Sequence, residues 1–348
     1  MARGDHGAAP RRGADLRRVR HGGVGRQVEG EQGVGLTLGV DIGGSKVLGG
    51  VVDEDGRVLA RARRQTPATD VSDTLDRIVE VIQELTATHE VEAVGIGAAG
   101  WIDAKRSTVL FAPNLAWRNE PLREEVARHV TVPVVVENDA NVAAWAEFQF
   151  GAAADATESM VMFTVGTGIG GALIIGGELV RGAHGIAGEL GHVTAVPDGH
   201  PCGCGKRGCI EQYASGKALA RFARATAEQD SERAMALLAL AGGDPAAITG
   251  PMVTIAARGG DPAALDAFRE VGHWLALALA DLVQIVDPQV LVVGGGVIDA
   301  GDLLLKPARA AFPEILAQRG RLPVGEIRGA LLGNTAGVVG AADLARRL

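Results

Sequence analysis

Aromatic side chains are scarce, at 3% of 348 residues with a single tyrosine. A chain this poor in rings offers no platform for stacking bases, which argues against single-stranded nucleic acid as a partner. Positive charge is also in deficit: the net charge is −8 and the pI near 5.5. That balance disfavours a surface built for polyanions. No uninterrupted apolar run is long enough to cross a bilayer. The best candidate, WLALALADLVQIVD from Trp274, is broken by Asp281 and reads as a buried helix. An N-terminal apolar segment of the secretory kind is missing, as is a Walker A sequence. Cysteine is limited to three residues, an odd count that speaks against a disulfide framework and for a reducing compartment.

Glycine, by contrast, is abundant: 50 residues, about double the usual share. Hydrophobic residues make up 47%, so the chain is globular, and its length favours two domains. Residues 1–33 stand apart, with seven arginines against four acids and few large apolar side chains. This +3 head leaves −11 on the remainder. It reads as a disordered basic extension, residues 1–34.

From Leu36 the pattern becomes regular. LTLGVDIGG is a strand ending in an acid and glycines, and two further strands meet at Glu54–Gly56. A helix follows from Asp70, with Val71, Leu75, Ile78, Ile82 and Leu85 on one face. VEAVGIGA and VPVVVEN read as strands, NEPLREEVARHV and NVAAWAEFQFG as helices. A second strand–glycines–strand opening, MVMFTV-GTGIGG-ALIIGG, repeats the first. Helices from about Ser215, Ser231 and Asp261 come next, separated by a loop at AGGDPAAITGP. VLVVGGGV is a late strand, and a helix near Leu303–Gln318 and another from about Thr335 close an α/β layer structure.

Three places carry chemistry. All the cysteines, Cys202, Cys204 and Cys209, fall in one glycine-rich loop with His192 just upstream. Three thiolates and an imidazole are a closed tetrahedral zinc set, so the metal is structural. Glu189 and Glu211 flank that loop and suit a hydroxyl-rich ligand. Glycine turns follow strands at Asp41–Lys46 (DIGGSK), Gly166–Gly171 (GTGIGG) and Gly294–Gly296. Such turns let backbone N–H groups approach phosphate oxygens. Gly95–Gly100 and Gly166–Gly171 fit the G-x-G-x-x-G spelling, but neither opens a helix, which argues against a dinucleotide site. In VENDAN, Asn138 and Asp139 stand where a strand gives way to a helix. Either they cap the helix, or Asp139 takes a proton from an attacking hydroxyl that Asn138 aligns. Asp41 could likewise orient a metal ion or merely close a turn.

Together, DIGGSK, GIGAAGWID, APNLAW, VENDAN, TVGTGIGG, GELGH, CGCGKRGCIEQYASG and VLVVGGGV resemble, in order, the motifs of the ROK family of sugar kinases. The resemblance runs from about Gly35 to Leu348 and is greatest to the ATP-dependent glucokinases of actinomycetes. It implies a two-domain, actin-like or hexokinase-type ATPase fold (ribonuclease H-like) with a ligand cleft between domains. Residues 35–142, completed by a C-terminal helix at 334–348, would form the small domain and 143–333 the large one. It implies transfer of phosphate from ATP to the 6-hydroxyl of glucose, with Mg²⁺ at the phosphates and structural Zn²⁺. Asp139 would be the base and would also bind the sugar, together with Asn114, Asn138, Glu189, His192 and Glu211, His192 also holding zinc. Asp41, Gly43, Gly44, Ser45 and Lys46, with Gly166, Thr167 and Gly168, would face the phosphates, and Gly294, Gly295 and Gly296 the adenosine. Ser45 departs from the family's usual threonine but keeps the hydroxyl. A cytoplasmic homodimer or tetramer is expected, with no nucleic-acid or membrane partner. Two alternatives are a kinase for fructose, mannose or N-acetylmannosamine, and a non-catalytic sugar-sensing regulator. The short Gly/Arg-rich head lacks the pattern of a helix-turn-helix module.

Overall fold

Two five-stranded sheets with the same strand logic organise the chain. The structure is a computed structural model and describes residues 35–67, 70–112 and 115–348. The basic head and Asn114 lie outside the described residues.

The first sheet begins with β1 (Thr37–Ile42), β2 (Lys46–Val52) and β3 (Val58–Gln65), an antiparallel meander. The β2–β3 turn forms at the expected acidic stretch. Asp53 Oδ1 accepts hydrogen bonds from the backbone of Asp55 and Arg57, and Gly56 takes the left-handed φ of 76°. Helix α1 (Val71–Thr86) is capped by Asp70 rather than by Ser72, the other candidate in the sequence: the Asp70 carboxylate accepts from Asp73 N at 2.9 Å. It leads to β4 (Ala93–Ala98), parallel to β1. A small antiparallel sheet follows, of β5 (Trp101–Ile102), β6 (Val109–Phe111) and β7 (Arg118–Glu120). Helix α2 (Leu122–Ala127) is shorter than its apolar pattern predicts, because Pro121 sets its start and Arg118–Glu120 pair with β6. Strand β8 (Val134–Asn138) completes the order β3-β2-β1-β4-β8.

Helix α3 (Asp139–Phe150) crosses to the second sheet. There β9 (Ser159–Val165), β10 (Ile169–Ile175) and β11 (Glu178–Leu179) form the second meander. A helical block follows: α4 (Glu211–Ala214), α5 (Gly216–Gln229), α6 (Met235–Leu240), α7 (Gly250–Arg258) and α8 (Pro262–Val286). Helix α8 holds the apolar run at Trp274 and packs it into the core of this half. Among the described residues no helix is long and apolar enough to cross a membrane. Strand β12 (Val290–Gly294), helix α9 (Asp302–Leu316) and strand β13 (Glu326–Gly329) give the order β11-β10-β9-β12-β13. In each sheet the meander's first strand pairs in parallel with a later strand, which pairs in parallel with another. The repeat that the two glycine openings hint at is therefore a repeat of the whole sheet.

The last helix, α10 (Ala336–Arg346), returns to the first half and packs on β1, β4 and α3. Glycine allows backbone to lie on backbone there. A Cβ on Gly39 would sit 1.9 Å from Val338 O, and one on Gly95 1.8 Å from Ala341 O. A Cβ on Gly340 would sit 1.8 Å from Val142 O in α3. Trp145 of α3 donates to the buried Asp343 carboxylate at 2.8 Å, fixing the two helices in register.

Candidate active site

The ends of β1 and β8, the start of α3, the β9–β10 turn and the β12 glycines converge on two adjoining cavities. One, of 300 Å³, is walled by Asp41, Lys46, Asp139, Gly295, Gly296 and the segment Ala330–Gly337. The other, of 910 Å³, is walled by Gly166 and Thr167, the start of α5, helix α7 and Gly296–Ala300. Gly296 and Asp299 border both, so the cavities are continuous in their lining.

Asp139 is the first residue of α3, immediately after the cap residue. The capping reading of VENDAN falls to Asn138, whose Oδ1 accepts from Asn141 N at 3.0 Å, while its amide donates to Asp139 Oδ1 at 3.1 Å. Ala140 N donates to the same oxygen at 2.9 Å. Burial pushes the Asp139 carboxyl above its ordinary range, and these hydrogen bonds only partly offset it. Its charge reaches in two directions. It raises Glu189, already lifted by burial, to about 7, with a hydrogen bond from Trp101 opposing. It also raises Asp41.

Asp41 closes β1 against the N-terminus of α10, where a Cβ on Gly337 would sit 2.6 Å from its carboxyl carbon. Burial first, then the charge of Asp139, push it from 3.8 to about 6, with Lys46 opposing. A carboxylate raised in this way costs the folded state its ionisation. The folded state binds the proton more tightly, so stability falls as pH rises from about 4 through 6 and stays lower above. Asp41→Asn is therefore expected to stabilise the ligand-free protein near neutral pH by about 3 kcal/mol. The gain should shrink below about 1 kcal/mol near pH 4 and vanish below about pH 3, where both states of the wild type carry the proton. Thermal melts across this range check it, and a variant no more stable than wild type at neutral pH would contradict the assignment.

The cysteine loop leaves β10 and β11 and returns to α4. It is held by isolated bridges between Thr194 and Cys209 and between Pro201 and Arg207. Lys206 Nζ donates to His192 O at 2.8 Å. The donor atoms of His192, Cys202, Cys204 and Cys209 all lie within 4.8 Å of one another. Cys204 and Cys209 Sγ are 3.7 Å apart, and Cys202 Sγ is 3.6 Å from His192 Nδ1. A tetrahedron with Zn–S bonds of 2.3 Å has edges of about 3.7 Å, so the donor set fits zinc in size as well as kind. Burial and the two neighbouring thiols push Cys209 up to about 12. A cation among the sulfurs reverses that penalty.

The acids that flank the loop, Glu189 and Glu211, line neither cavity, and nor do Asn138 and His192. His192 Nε2 lies 4.0 Å from Glu189 Oε2. Glu211 Oε2 accepts from Ile169 N at 3.0 Å, tying the loop to the β9–β10 glycine turn. Gly168 is needed there, since a Cβ would meet Glu211 Oε2 at 2.3 Å.

Not every expected residue lines a cavity. Gly44 and Ser45 are exposed in the β1–β2 turn, and Gly43 donates to Lys46 O across it. Gly294 faces Met162 inside the sheet. Sequence reasoning missed Asp299, the Gly333–Asn334 turn and helix α7, which supplies Thr254 and Arg258. Helix α7 starts at Gly250–Pro251, which on sequence reads as a loop although proline suits a first helical turn. Asp299 carries no local signal beyond its place after the glycines.

The ROK family profile matches residues 37–348. A glucokinase of Streptomyces coelicolor is 50% identical over 313 residues, covering 90% of this chain and 98% of that protein. The crystal structure of a ROK family glucokinase from Streptomyces griseus in complex with glucose and AMPPNP matches with a TM-score of 0.82 at 50% identity, over 90% of this chain and 100% of that one. A ROK hexokinase from Thermus thermophilus matches with a TM-score of 0.75 at 33% identity, over 90% of this chain and 98% of that one. The duplicated α/β sheets are thus those of ROK glucokinase structures, and this chain belongs to the ROK family.

Proposed function

We infer that this chain is an ATP-dependent glucokinase, converting glucose and ATP to glucose 6-phosphate and ADP. The observation that carries the mechanism is the position of Asp139. It shares a cavity with Asp41, Lys46 and the β12 glycines on one side, and its charge reaches Glu189 on the other. A base placed between a hydroxyl-gripping side and a phosphate-cradling side is what transfer between the two requires.

The sugar sits against Asn138, Glu189, His192 and Glu211, with Asn114 as a further contact. The 6-hydroxyl oxygen bonds to the γ-phosphorus as the bond to the ADP oxygen breaks, and the hydroxyl proton passes to Asp139. A base with a raised pKa holds that proton better at neutral pH. Lys46 and the N–H groups of the glycine turns neutralise the phosphates, and the adenosine occupies the larger cavity beyond Gly296. Mg²⁺ would be held at the phosphates near Asp41, supplying charge neutralisation. Zn²⁺ would be held by His192, Cys202, Cys204 and Cys209, supplying rigidity to the sugar side. Residues 35–142 with 334–348, and 143–333, act as two domains that close on the cleft and exclude water. The enzyme works in the cytoplasm as a homo-oligomer.

A coupled ADP-release assay with MgATP and a panel of glucose, fructose, mannose and N-acetylmannosamine tests the reading. Glucose should give the highest kcat/KM. A clear preference for another hexose would replace the substrate, and no turnover of any sugar would remove the enzyme.

A further inference from the structure

We propose that two buried glutamates on either side of the base are positioning residues with separate duties: Glu137 fixes the wall that meets the sugar, and Glu147 the wall that meets the ATP phosphates. The proposal rests on the kinase reading above.

Glu137 stands two residues before Asp139 and is 2% exposed. Its Oε1 accepts from Asn138 N at 3.1 Å and Asn141 Nδ2 at 2.9 Å. Its Oε2 accepts from Arg181 Nε at 2.6 Å. Arg106 Nε also lies 3.3 Å from Oε2, too oblique for a hydrogen bond. Arg181 opens the segment that runs from β11 to Glu189, and its carbonyl accepts from Ala187 N at 3.0 Å. Gly185 in that segment packs so tightly on the β5–β6 turn that a Cβ would sit 2.4 Å from Ile102 O. Arg106 occupies the same turn with a left-handed φ of 56°, its carbonyl accepting from Val136 N. One carboxylate thus joins the residue beside the base, the segment that carries Glu189, and the turn that covers it.

Glu147 lies eight residues after Asp139 on α3, about 80° further round the helix, and lines the same cavity. It is 0% exposed. Its oxygens accept from Ala152 N at 2.7 Å, from Leu331 N at 3.0 Å and from Leu332 N at 2.7 Å. The segment held in this way supplies Ala330, Gly333 and Asn334 to the cavity that contains Asp41 and Asp139. The Leu331 side chain is 74% exposed, whereas Ala330 and Leu332 pack against the core, so the carboxylate and packing fix this stretch together.

A carboxylate is an acceptor on both oxygens, whereas an amide of the same shape turns two donors toward N–H groups. Replacing either glutamate with glutamine therefore releases its own wall. Four variants of the full chain test the division. Glu137→Gln and Arg181→Gln loosen the sugar wall. Glu147→Gln loosens the phosphate wall, and Leu332→Pro removes one of its N–H donors at a residue whose φ of −81° lies near the range of proline. Steady-state KM values for glucose and MgATP are measured with thermal melts, and calorimetry gives Kd for glucose and for MgAMPPNP separately.

The first pair should raise the glucose constants about tenfold and leave the nucleotide constants within about twofold. The second pair should do the reverse. Variants that melt earlier with unchanged constants, or that shift both ligands alike, overturn the proposal. If Glu137→Gln or Glu147→Gln fails to fold, Arg181→Gln and Leu332→Pro carry the test. A wild-type protein that does not phosphorylate glucose would overturn the kinase reading instead, so the two failures are distinct.

Discussion

Asparagine in place of Asp139 is expected to cut glucose phosphorylation by about 10²–10⁴-fold, the usual contribution of a general base. The replacement keeps the side-chain shape, and the bonds from Ala140 N and Asn138 Nδ2 both fall on Oδ1. Among the described residues nothing donates to Oδ2, which leaves that oxygen to face the substrate hydroxyl. Glucose affinity should survive, because Glu189, His192 and Glu211 are held by the cysteine loop and not by Asp139. The pH profile gives a second signature. Burial raises the carboxyl, so wild-type kcat/KM should climb as pH rises through its ionisation, whereas the residual rate of Asp139→Asn should lack that limb. Turnover within tenfold of wild type would refute the role.

Cys209→Ser should have the second large effect, loss of both metal and glucose binding. Cys209 is fully buried, pairs across the loop with Thr194 and lies against the Cys204 sulfur. Structural zinc sites contribute folding energy outright. Without the metal, the segment from Glu189 to Glu211 loses the tether that holds Glu211 on the β9–β10 turn and Glu189 within reach of Asp139. Elemental analysis should fall from one zinc per chain to about none, and calorimetric titration with glucose should show affinity lost by at least about tenfold. Nucleotide binding in the larger cavity should be spared, since α7 and the β12 glycines lie outside the cysteine loop. A zinc-free variant that still binds glucose as the wild type does would separate the metal from the sugar site.

Strands β1, β9 and β12 were legible because each ends in a glycine turn. The metal loop was legible because its ligand types lie close together in sequence. Asp139 was ambiguous in sequence because cap and base call for the same residue type at the same place, and Asn138 proves to be the cap. What sequence did not reveal lies across the fold. Glu147 reads as one more polar residue of a helix, and only the β13–α10 segment, far along the chain, shows what its carboxylate holds. Asp299 joins the two cavities through tertiary placement alone. The short strands β5, β6, β7 and β11 carry too few residues for an alternating pattern to emerge.

Helix α10 has a consequence for biosynthesis. It lies against β1 and β4 through Gly39 and Gly95, yet it is made long after them. On the ribosome the first sheet must wait, one face bare, while the whole second half is translated. Such late, distant closure slows folding and leaves apolar surface open to aggregation. A nascent chain stalled before Ala336 should therefore be an avid client for chaperones, and one in which α10 has emerged should not.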